Sequence, residues 1–141
     1  MGPQWFALLT AAAWGIGGYF EKKGLAIGGV PPQIGIVVRT GIAFLLLAAV
    51  SAPQWRTLTT ASPKSLLYIA IGGGVLAGAV GMLCFYVALR NGSLAQVMPI
   101  AFTSPLFGVL LGMILGGEPV TARAIGGMAL TVGGIALLSV R

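Results

Sequence analysis

Long apolar runs alternate with short polar breaks along the chain, and the breaks carry the residues that start and stop helices. A helix crossing a bilayer needs about 20 mostly apolar residues. Five runs reach or approach that length: residues 3–20, 32–52, 65–89, 93–117 and 122–140. The first runs on into Glu21-Lys22-Lys23, and the second is interrupted by Arg39. Pro3, Pro32 and Pro63 stand where a first helical turn tolerates a residue without N–H, and Ser62 is placed to cap the third helix. Asn91-Gly92 closes that helix, with Gly92 suited to a left-handed cap. Ser93 is placed to cap the fourth helix; Pro119 breaks the chain after Glu118, and Thr121 can cap the fifth. The pattern predicts an all-α membrane protein with five transmembrane helices.

Composition strengthens that reading. Of the 141 residues, 57% are hydrophobic and 7% charged, against about 25% charged in a soluble domain. So few charges could not coat a globule of this size, which excludes a soluble enzyme. The chain holds no His, and Cys84 has no partner thiol. Zinc sites, nucleophile–histidine machinery and an internal disulfide are therefore excluded, and no catalytic residue, metal or cofactor is expected. The net charge of +6 comes from basic residues scattered between apolar runs rather than clustered, so no nucleic-acid partner is expected. Met1-Gly2-Pro3 lacks a basic leader, and the first run is expected to be retained as a span.

An odd number of spans puts the termini on opposite sides of the bilayer. Arg56, Lys64 and Arg123 then fall on the N-terminal side, with the aromatics Trp5, Trp55 and Tyr68 at its interface. Lys22, Lys23, Arg90 and Arg141 fall on the other. The near balance leaves the orientation signal almost silent. Either one topology is fixed by other means, or copies insert both ways and pair head-to-tail.

Arg39 lies about two turns into the second span, where a lone Arg is costly enough to require water or a partner. It either contacts an anionic group in a cavity or snorkels and bonds helix-end carbonyls. No acid lies mid-span. Glu21 shares a face of the first helix with Thr10, Trp14 and Gly17, and can equally serve as an interfacial partner for Lys22 or Arg39. In the fourth run, Ser104, Gly108, Gly112 and Gly116 form a small-residue ridge that allows close helix approach. Gln96, Pro99 and Thr103 lie on another face, where Pro99 and Pro105 free the carbonyls of Ala95 and Ala101. One face packs, and the other either lines a path or belongs to a plain kinked helix. The third run shows Gly74, Gly78 and Gly81 on a small face, followed by Phe85-Tyr86. Gly126-Gly127 and Gly133-Gly134 in the fifth suit a helix–helix contact, within or between subunits.

In order and spacing, a set of short motifs resembles one EamA repeat of the drug/metabolite transporter superfamily. These are Trp14-Gly15, Lys23-Gly24-Leu25, Arg39, Phe85-Tyr86-Val87-Ala88-Leu89, Pro99, Ser104-Pro105-Leu106-Phe107, Gly117-Glu118, Gly126 and Gly133-Gly134-Ile135, spread over essentially the whole chain. The resemblance implies a carrier for small metabolites. Typical members hold two such five-helix repeats of opposite topology, with the site between them. Here there is one repeat, so the inverted arrangement requires an antiparallel second copy. The small multidrug resistance branch, which also pairs antiparallel, uses a carboxylate in helix one, where Ala13-Trp14-Gly15 offers none.

The expected function is a half-size transporter in the inner membrane of a prokaryotic cell, working by alternating access as an antiparallel homodimer. Trp14, Arg39, Tyr86, Gln96, Pro99 and Thr103 are the expected cavity residues. Gly108, Gly112, Gly116, Gly126, Gly127, Gly133 and Gly134 are the expected packing or dimer contacts. Its partners are the lipid bilayer, a small-molecule substrate and a second copy. Two alternatives stay open: a non-transporting subunit paired with a distinct chain, and a carrier of lipid-linked head groups.

Overall fold

The structure, a computed structural model, describes residues 2–116 and 119–139, and among these it contains helices and no strand. The motif residues Gly117 and Glu118, and the expected helix ends at 117 and 140, lie outside the described residues, as does Arg141. Eight α-helices follow in order: α1 Pro3–Gly28, α2 Pro32–Ser51, α3 Thr57–Thr60, α4 Pro63–Tyr68, α5 Met82–Asn91, α6 Leu94–Ala101, α7 Ser104–Gly116 and α8 Ala122–Ser139. A 3₁₀ turn, Ala52–Gln54, continues α2, and a π-helical stretch, Ile69–Gly81, joins α4 to α5.

Three continuous stretches are long and apolar enough to cross a bilayer: Pro32–Gln54, Pro63–Asn91 and Leu94–Gly116. Large apolar side chains along them, among them Phe44, Leu46, Ile71, Leu76, Leu110 and Ile114, are exposed. Water would not tolerate such a surface, whereas hydrocarbon does. The chain is an integral, multi-pass membrane protein. The other two expected spans are also helical. Helix α1 has the length but carries Glu21, Lys22 and Lys23 in its last third, and the apolar helix Ala122–Leu138 is shorter than the three stretches.

The chain divides into two compact units. One comprises Tyr19–Asn91. Within it, the end of α1 turns back into α2 over three residues. Gly29 adopts φ +56°, and Pro31 is extended at φ −59°, ψ 143°, delivering Pro32 to the first turn of α2. A side chain at Gly29 would be strained in that left-handed conformation. Gly92 does not adopt it, contrary to expectation: Gly29 is the only positive-φ residue among those described. The reason lies one residue earlier, where Asn91 Nδ2 donates to the Val87 carbonyl at 2.9 Å and occupies a helix-end acceptor. The third run is not one regular α-helix either. In the π stretch, a Cβ at residue 78 would sit 2.8 Å from the Gly73 carbonyl oxygen, five residues back, so the wide winding needs glycine there. The small face expected from 3.6-residue spacing at Gly74, Gly78 and Gly81 does not carry over to that winding.

The second unit comprises Met1–Gly18 and Gly92–Arg141. Its fourth run is two helices rather than one kinked helix. Pro99 sits inside α6, which ends at Phe102 (φ −80°, ψ 13°), and α7 begins at Ser104. Pro105 therefore occupies a first turn, where its missing N–H costs little. The Thr103 hydroxyl donates to the Ile100 carbonyl at 2.7 Å, satisfying an acceptor at the break. Helix α6 packs against α8. Thr121 caps α8, its Oγ1 accepting from the Ala124 amide at 3.2 Å. Ser93 instead donates to Gln96 Oε1 at 3.0 Å, and Ser62 makes no side-chain cap bond, so neither caps its helix as expected.

Candidate functional site

The end of α1 and the start of α2 run back from the Gly29 turn with matched spacing. Glu21 lies seven residues before Gly28 and Arg39 seven after Pro32, which at 1.5 Å per residue puts each about 10 Å from the turn. The two side chains meet there, with Arg39 Nε 2.7 Å from Glu21 Oε1. Among the roles open to Glu21 in the sequence is that of partner to Arg39, and the two form a direct ion pair. The pair is not sealed: the Arg39 side chain keeps 37% of its surface exposed and that of Glu21 19%.

Tyr86 completes the group from α5. The Glu21 carboxylate and the Arg39 guanidinium both lie close enough to the Tyr86 hydroxyl to act on it electrostatically. The ring is buried between α1 and α2. A Cβ at Gly35 would lie 2.9 Å from both Tyr86 Cε1 and Leu25 Cδ2, so α2 approaches this closely only because residue 35 has no side chain. Leu25, Tyr86 and Leu89 are the buried hydrophobic residues among those described. Lys22 Nζ donates to the Leu89 carbonyl at 2.9 Å, a cation at the C-terminal end of α5 that holds its last turn against α1. Two residues expected in the cavity, Arg39 and Tyr86, are thus brought together, by an acid the expected set omitted.

The other expected cavity residues belong to the second unit. Trp14 stacks on Phe102 with ring centroids 5.9 Å apart and planes tilted by 38°. Phe102 was not singled out in the sequence, since only the break after α6 turns it toward α1. Gln96 folds back onto Ser93, and Thr103 onto the Ile100 carbonyl. Pro99 is half-buried next to Met98, whose sulfur lies 3.1 Å from where a Cβ at Gly18 would stand. The glycines read as packing contacts face open space: a Cβ at Gly108, Gly126, Gly127, Gly133 or Gly134 meets nothing within 4 Å. Gly112 is half-buried and Gly116 exposed.

A groove of about 350 Å³ at the end of α2 had no signal in the sequence; it is lined by Phe44, Leu47, Ala48, Ser51, Trp55 and Leu58. Ser51 anchors its rim, donating to the Leu47 carbonyl at 2.6 Å and accepting from Trp55 Nε1 at 3.2 Å.

The sequence profile of the EamA-like transporter family matches residues 2–140. The chain belongs to this family. Among its relatives is an uncharacterized transporter in the cobO 3′ region of a Sinorhizobium species, 28% identical over 139 residues that cover 97% of this chain and 96% of the relative. The uncharacterized transporter YvbV of Bacillus subtilis is 28% identical over 138 residues, 96% of this chain and 44% of that protein. An uncharacterized protein of Methanocaldococcus jannaschii is 28% identical over 133 residues, covering 94% and 93%. The EamA-like chain thus spans nearly all of two of these relatives and less than half of the third. No solved structure matches it.

Proposed function

We propose that this EamA-like protein is a membrane transporter of small metabolites, working by alternating access as an antiparallel homodimer in the inner membrane of a prokaryotic cell. One observation carries the reading. The same 28%-identical unit fills 96% of one transporter-named relative and 44% of another. A unit that forms somewhat under half of one carrier and nearly the whole of another fits a machine of two such units, supplied in the second case by pairing. In this reading α1 and α8 cross the membrane with the three more apolar stretches, making five spans. An odd count needs a second copy inserted the other way up, and the near balance of basic residues on the two sides permits it. The open glycine faces of α7 and α8 offer surface for such a copy, since small residues allow helices to approach closely where water supplies no driving force. Arg39, Tyr86, Trp14, Gln96, Pro99 and Thr103 are proposed to face the path, and two bundles rocking about it would alternate access.

The test is topological. Paired reporters fused to both termini, each active on one side of the membrane only, are expected to give both orientations in comparable amounts. A single fixed orientation would remove the antiparallel homodimer and favour a distinct partner chain.

A further inference from the structure

The donor held at Glu21 is one that suits any carboxylate. The Arg39 guanidinium supplies charge and a directed N–H at 2.7 Å, and the Tyr86 ring packs against α2 one turn before it. The acid it holds is tethered to α1, and the protein leaves more than one-third of the Arg39 side chain uncovered, so the pair is not sealed inside the chain. A lone Arg at this depth would be costly while no ligand was bound, and Glu21 removes that cost. We infer that Arg39 is a carboxylate-binding group, backed by the Tyr86 ring, which the chain's own Glu21 occupies at rest, and that the metabolites carried bear a carboxylate that takes its place.

The exchange replaces like with like at Arg39. The incoming carboxylate inherits the Nε contact. Glu21, about 10 Å from the end of α1, turns toward interfacial water. A neutral amide of the same shape has no charge to offer the guanidinium and does not displace Glu21. Gly35 holds Tyr86 in register for both occupants, because a side chain there would collide with the ring. The transported-substrate half of this inference rests on the carrier reading; the binding half does not.

Equilibrium dialysis of the full chain in detergent micelles, with radiolabelled acetate, succinate and benzoate and their amides as competitors, tests the binding half. Removing the tethered competitor in Glu21→Gln is expected to tighten carboxylate binding about tenfold, the shift that follows if Glu21 fills the site about nine-tenths of the time. Arg39→Gln and the charge-neutral double variant Glu21→Gln/Arg39→Gln are expected to lose binding, and the amides are expected not to compete. Should Glu21→Gln misfold, Glu21→Asp keeps the charge on a shorter arm and is expected to bind several-fold more tightly than wild type. Binding that is unchanged or weaker without Glu21 would make the pair purely structural and overturn the inference. So would the absence of carboxylate binding in every variant, or inorganic phosphate competing as well as benzoate. Counterflow in proteoliposomes separates the two readings. Carboxylate binding without flux overturns the carrier and leaves the site, whereas flux of the amides at the carboxylate rate leaves the carrier and overturns the substrate class.

Discussion

Replacing Gly35 by Ala adds one carbon at 2.9 Å from Leu25 Cδ2, 2.9 Å from Tyr86 Cε1 and 3.2 Å from Tyr86 Cδ1. All three separations are well inside ordinary carbon–carbon contact, so a neighbour must move. The Leu25 methyl ends a flexible side chain, but that residue is only 6% exposed and has little free volume to turn into. Tyr86 is 2% exposed and has as little room to move. Overpacking of this kind costs about 1–3 kcal/mol, offset by at most about 1 kcal/mol from the better helix propensity of Ala. The expected outcome is a net loss of up to about 2 kcal/mol, and a deficit of about 1–3 kcal/mol against a Gly→Ala change that meets nothing. Gly41, in the same helix, is the control. A Cβ there meets nothing within 4 Å, so Gly41→Ala should leave stability unchanged or raise it by up to about 1 kcal/mol. Reversible unfolding in mixed micelles with increasing SDS, followed by circular dichroism, reads both variants against wild type. Equal shifts for the two variants would mean that the close approach of α2 to Tyr86 is not under steric control.

Other outcomes follow from single contacts. Thr121→Ala removes the acceptor for the Ala124 amide and should cost about 1 kcal/mol, with hydrogen exchange at that amide accelerated about fivefold and Thr121→Ser close to wild type. A double-mutant cycle on Trp14 and Phe102 should return a coupling of about 0.5–1.5 kcal/mol, and a value near zero would show that the rings are adjacent without interacting. Leu89→Ala, at the one large side chain among the described residues with no exposed surface, should lose about 2–5 kcal/mol, whereas Leu46→Ala on the exposed flank of α2 should lose far less.

The helix starts were the most legible part of the fold. Pro3, Pro32 and Pro63 each open a helix, and Thr121 caps one, because these signals act within a single turn and owe nothing to tertiary structure. Arg39 announced itself by being costly where it stands, and its partner was among the candidates because only two acids exist in the chain. Features that depend on a neighbour's side chain were hidden. Asn91 bonding the Val87 carbonyl displaced the left-handed role from Gly92, and the Ser93–Gln96 pair replaced a backbone cap. The π winding of Ile69–Gly81 was invisible because apolar residues surround it on every side, so no polar stripe betrays a change in residues per turn. Tyr86 was expected to line a cavity; that its ring is buried against Gly35 depends on how closely α2 and α5 approach, which no local pattern encodes.

The short Gly29 turn makes the segment from residue 21 to residue 39 a ruler. Because each charge stands seven residues from its helix end, one residue inserted into α1 after Glu21 would swing that carboxylate about 100° around the helix and away from Arg39. Length variation should therefore be tolerated in the polar stretch between α2 and α4, but not across this hairpin, where the count of residues is itself part of the chemistry.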